Sequence, residues 1–369
     1  MLGSLALFRY NAGSYKKQVV IIMNQKRKAV VLISGGLDSL LAARMMIDQG
    51  IHVEGINFYT GFCHSGHTSA IRNNKKAKPP RNDALWVAEQ LGIKLHIIDI
   101  VEEYKDVLLN PQHGYGQNLN PCLDCKIFMV KKAHEWIVEN EFDFIVTGEV
   151  VGQRPKSQRR ETMPIVEKQS GANDLLVRPL CAKRLPETLP EREGWLKRDE
   201  LLDFHGRNRK PQLALADKFK LDDFAQPAGG CCVLTDSNYS NRLEDMWAHR
   251  GTREYTMDDI IILKAGRHIR PSKQYKLIVG RDVGENNFLT GFRKDFISMA
   301  AKDHRGPLVL IDGTMKDNDV VYAASIMARF TDGKLEERIT VEVREMDGTC
   351  NDIHVKPMLE KDVEKGWYI

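Results

Sequence analysis

The sequence predicts an α/β protein: a doubly wound parallel sheet followed by a smaller α+β domain. Three observations carry this reading. Between residues 28 and 149 short apolar, β-branched runs alternate with helical patterns, the rhythm of a parallel sheet with helices on both faces. The first run ends in a Ser-Gly-Gly turn that feeds a helix start. After about residue 254 the rhythm changes to short, closely spaced strands with one long helix.

The elements follow in order. AVVLI (29–33) reads as a buried strand, and from Leu37 onward Leu40, Leu41, Ala43 and Met45 suit a helix that Gly50 would close. HVEGINFYT (52–60) is a second strand, followed by a polar, basic loop through Pro80. DALWVAEQLG (83–92) predicts a helix, KLHIIDI (94–100) a third strand, and Leu123 to Asn140 a helix with Phe128, Ala133, Trp136 and Ile137 on its apolar side. FDFIVTGE (142–149) is the fourth strand. Ligands bind at the carboxyl ends of such strands, so the Ser34 turn, Thr60–His64 and Thr147–Glu149 are expected to converge.

From about 150 an excursion loop leads to a short strand within 175–188. Two short helices are expected in REGWLKRDELLDFHG and KPQLALADKFK, then the glycine-rich turn QPAGGCCVLTD (226–236) and a helical connector over 240–253. IIILKAGRHI, YKLIVG, GPLVLIDG and RITVEVRE read as strands of the last domain, with DVVYAASIMARF (319–330) as its helix. No internal repeat is present. The expected division is an N-terminal extension (1–24) of little order, a nucleotide-binding domain (25–190), a helical linker segment (191–253) and the α+β domain (254–369). Met23 supports the first boundary, because MNQKRKAVVLISGG runs from it straight into the first strand.

Composition narrows the function classes. The chain has 369 residues and a hydrophobic content of 42%, normal for a globular protein, and no apolar run long enough to span a membrane. The formal net charge is only +4, yet RNNKKAKPPR (72–81), RPKSQRR (154–160) and HGRNRK (205–210) concentrate positive charge. Each alone reads as a solvated loop; three together favour a nucleic-acid surface. Seven cysteines, an odd number, argue for a reducing, cytoplasmic setting without structural disulfides.

Two patterns carry chemistry. At the Ser34-Gly35-Gly36 turn, free backbone N–H groups and the positive end of the helix dipole make an anion site. The Ser34 and Ser39 hydroxyls can add hydrogen bonds. Asp38 beside a bound phosphate would repel it unless a cation lies between, and Mg²⁺ would serve. A plain βα turn with a capping residue is the other reading; a Walker A loop is excluded, because no Gly-Lys-Ser/Thr follows. The second pattern is Cys122-x-x-Cys125 at a helix start, where the thiolate form is favoured. No second C-x-x-C and no His pair completes a zinc ribbon. Three readings stand: a redox or persulfide dithiol, a three-cysteine cluster completed by Cys231 in preference to Cys232, or a buried pair without chemistry. Three cysteines with one open position would suit a [4Fe–4S] cluster. Cys63 with His64 and His67 is a weaker metal candidate, and Cys181 and Cys350 have no assigned role.

SGGLDS after a strand resembles the PP-loop of the ATP pyrophosphatase superfamily, whose fold is the adenine nucleotide α hydrolase-like sheet. The order SGGLDS, NPCLDC, VTGEVVGQRPKSQ, VRPLCAKRLPET, GRNRKPQ and QPAGGCCVLTD resembles tRNA thiouridylases, related to the 2-sulfurtransferases and 4-thiouridine synthetases, over residues 28 to 240. The stretch GRH…VGRD…EN (266–286) loosely resembles the RNA-binding module of the NFACT family. In 2-thiouridylases the Asn-Pro segment carries one cysteine and a partner lies much later, forming a persulfide relay. Here Cys122 and Cys125 stand together with a third cysteine downstream, which resembles the iron–sulfur-dependent branch.

The resemblance implies ATP, Mg²⁺ and a [4Fe–4S] cluster as cofactors and tRNA as partner. Ser34, Gly35, Gly36, Leu37, Asp38 and Ser39 would hold pyrophosphate, Thr147 and Gly148 would line the nucleotide pocket, and Cys122, Cys125 and Cys231 would hold the cluster. Asp38 and these three cysteines are then the residues expected to carry the chemistry, with sulfide or a persulfide carrier as donor. The oligomeric state stays open, a homodimer among the options. A PP-loop amide ligase, a cluster-dependent desulfidase, a persulfide-relay thiouridylase and a non-catalytic RNA-binding module are the competing readings.

Overall fold

The computed structural model describes residues 26–63, 81–221, 223–225 and 232–369. The expected N-terminal extension, His64, His67, most of the first basic stretch and Cys231 lie outside them. The chain forms two compact units, one of residues 1–57, 87–96 and 127–225, the other of residues 58–86, 97–126 and 226–369.

The first unit is built on a parallel sheet. Its strands are β1 (Lys28–Leu32), β2 (His52–Tyr59), β3 (Leu95–Asp99), β4 (Phe144–Val146) and β5 (Leu176–Val177), in the order β3-β2-β1-β4-β5. β1 is central and pairs in parallel with both β2 and β4. Ala29, Val30 and Val31 are wholly buried, as a strand covered on both faces requires. α1 (Leu37–Asp48) follows β1 and buries Leu40, Leu41, Ala42 and Ala43; Gly50, at φ +81°, turns the chain into β2. Among the described residues the remaining α-helices before residue 220 are α2 (Asp83–Leu91), α3 (Val101–Leu109), α4 (Cys122–Glu139), α5 (Met163–Ser170), the single turn α6 (Leu189–Arg192) and α7 (Lys210–Lys218).

The second unit carries a six-stranded antiparallel sheet in the order β11-β10-β8-β9-β7-β6. Its strands are β6 (Arg267–Ile269), β7 (Tyr275–Val279), β8 (Ile297–Ala301), β9 (Val309–Gly313), β10 (Ile339–Arg344) and β11 (Cys350–Val355). The helices are α8 (Ser237–Arg250), α9 (Met257–Ile262), α10 (Val283–Thr290) and α11 (Asp317–Ala328). Strand alternation separates two cores. Leu277, Val279, Val309 and Ile311 pack with Ala323, Ala324 and Met327 of α11, while Ile278 and Leu310 pack with Ile262 and Leu289.

Some expectations fail for physical reasons. Ile260–Ile262 are not in a strand. Thr256 and Asp259 close a capping box, with Thr256 Oγ1 accepting from the Asp259 amide and Asp259 Oδ2 accepting from the Thr256 amide, so the apolar run starts as α9 and only Arg267–Ile269 is extended. REGWLKRDELLDFHG forms no α-helix; it holds one 3₁₀ turn, Arg198–Glu200, after Gly194 at φ +66°. β8, β11 and α10 went unread, since β8 and β11 mix small and polar residues and α10 is short.

The GRD…EN stretch is consumed by its own turn. Asp282 caps α10 by accepting from the Glu285 amide, Arg281 pairs with the buried Glu285, and Asn286 Oδ1 accepts from the Leu308 amide. A Cβ on Gly280 would sit 2.1 Å from Asn286 Oδ1.

A charged core ties α8 to this sheet. The fully buried Lys276 on β7 lies 3.3 Å from both Asp245 on α8 and Asp312 on β9, and Arg270 adds two hydrogen bonds to Asp245. Removing one member leaves unpaired buried charges. Lys276→Ala is therefore expected to lower unfolding free energy by about 3–5 kcal/mol, measured by urea denaturation.

Candidate functional site

The Gly-Gly turn ends β1 and opens α1 without a side-chain cap. Gly35 takes φ +82°, and Gly36 is the N-cap in extended geometry. Ser39 is buried and turns inward: its hydroxyl donates to the Gly36 carbonyl at 2.9 Å and lies 3.5 Å from Ser34 Oγ. Among the described residues no side-chain cap occupies the helix start, and an uncapped start offers backbone N–H groups to phosphate oxygens. Asn57 Nδ2 donates to the Ile33 carbonyl at 2.6 Å and fixes the strand end ahead of the turn.

The end of β4 meets this turn directly. A Cβ built on Gly148 would lie 2.4 Å from the Asp38 carbonyl carbon and 2.6 Å from the Ser39 nitrogen, so only glycine fits. The flanks of Gly148 are pinned. Thr147 Oγ1 donates to Glu149 Oε2 at 2.9 Å, Arg178 Nε donates to the same oxygen at 3.1 Å, and Arg178 also pairs with Glu167. Thr147, expected with Gly148 to line the nucleotide pocket, stands at this strand end with its hydroxyl engaged by Glu149. The Ser34 turn and the Thr147–Gly148 turn thus converge as strand order predicts.

Asp38 is the carboxylate at the centre. Its Oδ2 accepts from Gln153 Nε2 at 2.6 Å, while Oδ1 is buried without a partner among the described residues. Burial pushes its pKa above the ordinary carboxylate value, and the Gln153 hydrogen bond and the charges of Arg209 and Arg154 oppose that rise. An unpartnered buried carboxylate oxygen beside an anion-binding helix start is the donor a hard cation takes, so the residues fit Mg²⁺. Gln153, Gln212 and Arg209 escaped the sequence reading; the only signal was their place in the motifs VTGEVVGQRPKSQ and GRNRKPQ. Two of the basic stretches flank this site, because Val151 pairs with His205 and the Gly206 amide donates to the Val151 carbonyl at 2.8 Å.

Cys63, Cys122, Cys125, Cys232 and Cys350 belong to the second unit, and Cys181 to the first. Cys122 is the first residue of α4, and the Cys125 amide donates to the Pro121 carbonyl at 2.8 Å. Cys63 and Cys232 face each other in an isolated antiparallel bridge, with the Val233 amide donating to the Phe62 carbonyl at 2.9 Å. Cys232 Sγ lies 3.7 Å from Oδ1 of the buried Asn120, two residues before Cys122. The buried Lys264 donates to the Gly61 carbonyl at 2.8 Å; burial lowers its pKa to about 8, although the nearby Cys63 and Cys232 thiols favour its charge. Cys181 is buried with its pKa pushed up to about 11, chiefly by desolvation, and Cys350 is exposed. Among the described residues no three thiol, imidazole or carboxylate groups gather at a metal-sized site.

A parallel sheet whose first strand turns through Gly-Gly into an uncapped helix defines a nucleotide-binding α/β protein. Comparison with known proteins narrows the class. The family described as tRNA methyl transferase HUP domain matches residues 27–173, and the NFACT protein RNA binding domain matches residues 266–368. A protein of Mesoplasma florum named tRNA-specific 2-thiouridylase MnmA is 31% identical over 282 residues, covering 73% of this chain and 68% of its own. A namesake from Pelobacter propionicus is 33% identical over 62% of this chain and 66% of its own. A solved 4-thiouridine synthetase–RNA complex with bound ATP aligns over 42% of this chain and 36% of its own, at 23% identity and a TM-score of 0.32. The chain belongs to the PP-loop tRNA thiouridylase-like family. No helix among the described residues is long and apolar enough to cross a membrane.

Two outcomes are expected. Gly148→Ala forces the Asp38–Ser39 peptide aside and should cost about 1–3 kcal/mol in chemical denaturation. Asp38→Asn removes a buried charge. Because the folded pKa of Asp38 is raised, its charge penalty is present above that pKa and fades as pH falls through it toward the unfolded value. Asp38→Asn should melt above wild type at pH 7, with the gap closing on acidification, as read by calorimetry.

Proposed function

We propose that the chain is an ATP-dependent tRNA sulfurtransferase. The observation that carries this reading is the uncapped helix start with Asp38 at its first turn, in a chain that also presents paired thiols at the head of α4. The names of its relatives support tRNA as the substrate class. Oxide is a poor leaving group, so a uridine carbonyl must first be activated. The carbonyl oxygen attacks the α-phosphorus of ATP and pyrophosphate departs. A sulfur nucleophile then adds to the same carbon, and AMP leaves with the former carbonyl oxygen. Residues Ser34 to Ser39 hold the pyrophosphate with backbone N–H groups, and Asp38 holds the cation that neutralises it. Aligned charges of this kind supply most of the rate enhancement in such a transfer. The target base leaves its stack to reach the turn.

The finer reading is sulfur delivery by a [4Fe–4S] cluster on Cys122, Cys125 and Cys231. The described thiols alone do not fit a cluster: Cys232 sits against Cys63 and Asn120, and no third ligand joins Cys122 and Cys125 among the described residues. A persulfide relay is the second reading, favoured by the Cys122-x-x-Cys125 spacing at the head of α4.

The RNA reading rests on positive charge. Arg159, Arg160, Arg207 and Lys210 lie exposed on the two stretches joined by the Val151–His205 bridge. Phosphate contacts release counterions, so binding should weaken with salt.

The test has three measurements. Asp38→Ala should abolish pyrophosphate release from ATP with folding intact. Mass spectrometry of tRNA nucleosides from cells lacking the gene should show a missing thiouridine. Replacing Arg207 and Lys210 by glutamine should lower the slope of tRNA affinity against salt by about one per cation removed. Wild-type pyrophosphate release by Asp38→Ala protein would place the ATP site elsewhere. Iron content of anaerobically purified protein, against persulfide on Cys122 or Cys125 by mass spectrometry, separates the two sulfur readings.

A further inference from the structure

Gln212 is 1% exposed on α7, yet its amide oxygen has no hydrogen-bond partner among the described residues. An apolar side chain of equal size would cost less there. Its amide nitrogen donates to Gln153 Oε1 at 3.3 Å, and Gln153 Nε2 donates to Asp38 Oδ2 at 2.6 Å. The polarity of this chain is forced. An ionised carboxylate only accepts, so Gln153 turns its NH₂ to Asp38 and its oxygen away, and Gln212 must then donate. The result is that Oδ2 is occupied and Oδ1 is the carboxylate oxygen left without a partner.

We infer that Gln153 and Gln212 are positioning residues: a two-amide strut that selects Oδ1 of Asp38 for the cation accompanying ATP. The inference rests on the ATP reading above and adds residues that no part of that reading uses. Gln212 touches neither nucleotide nor cation. It acts by fixing the rotamer and polarity of Gln153, which in turn fixes the carboxylate. A buried amide that stays incompletely bonded, yet orients a site carboxylate, is the kind of local compromise that functional sites keep.

Gln212→Met tests this in the full-length protein, with ATP affinity measured by calorimetry in Mg²⁺ and again in EDTA. Methionine restores apolar packing, so the melting temperature should match or exceed wild type. ATP affinity in Mg²⁺ should fall about tenfold, while affinity in EDTA should change less than twofold. Asp38→Asn should show the same pattern, and the double variant should lose no more than Asp38→Asn alone, as two residues acting through one group require. Equal losses with and without Mg²⁺, or no loss in Mg²⁺, would overturn the strut. If Asp38→Asn lowers the Mg²⁺ affinity and Gln212→Met does not, the strut falls while the ATP reading stands. Failure of the wild-type protein to bind ATP in either buffer sinks both.

Discussion

The site depends on one backbone contact. Gly148, at the end of the fourth strand, lies against the Asp38–Ser39 peptide at a distance no side chain allows. That contact brings two strand ends together at the start of α1. Everything that makes the turn useful follows from it: a helix start with no side-chain cap, a carboxylate set into its first turn, and the Gln153 segment led back across the carboxylate. The buried Glu149–Arg178 pair holds the contact in place from below. Its ions are nearly inaccessible, and buried pairs of this kind add little net stability, so its value is the geometry it imposes on the residues either side of Gly148.

Two oppositely handled cations show how the molecule treats charge. Lys276 is surrounded by Asp245 and Asp312 and belongs to the architecture. Lys264 has no ion pair among the described residues; it donates to a carbonyl near two thiols, and burial makes it a weaker base. The second unit therefore sets a buried lysine near two thiols, while the first sets a buried carboxylate in the first turn of α1.

Much of this was legible in the residues. Alternating β-branched runs and amphipathic segments gave the parallel sheet, because burial on both faces imposes that composition on every strand. The Gly-Gly turn between the first strand and α1 was legible too, since Gly35 at φ +82° is a backbone position that few residue types adopt. What stayed hidden depends on contacts far apart in sequence. Gln153 and Gln212 are separated by a whole excursion and look like surface polar residues until α7 folds against the turn. The triple isoleucine of α9 looks like a strand, and only the reciprocal Thr256–Asp259 cap decides otherwise. The backbone bridge between Cys63 and Cys232 joins distant segments, which spacing does not reveal.

The packing around Gly61 and Phe62 bears on how such a chain can be assembled or dissected. Gly61, at φ +80°, would place a Cβ 2.5 Å from Ile260 of α9, and the fully buried Phe62 sits among Tyr104, Tyr239 and Tyr255. Lys264 holds the Gly61 carbonyl from the same side. The exit of the second strand is thus finished by residues that come two hundred positions later. A cut or a graft near residue 254 would strip an aromatic plug from one product and leave an open socket in the other.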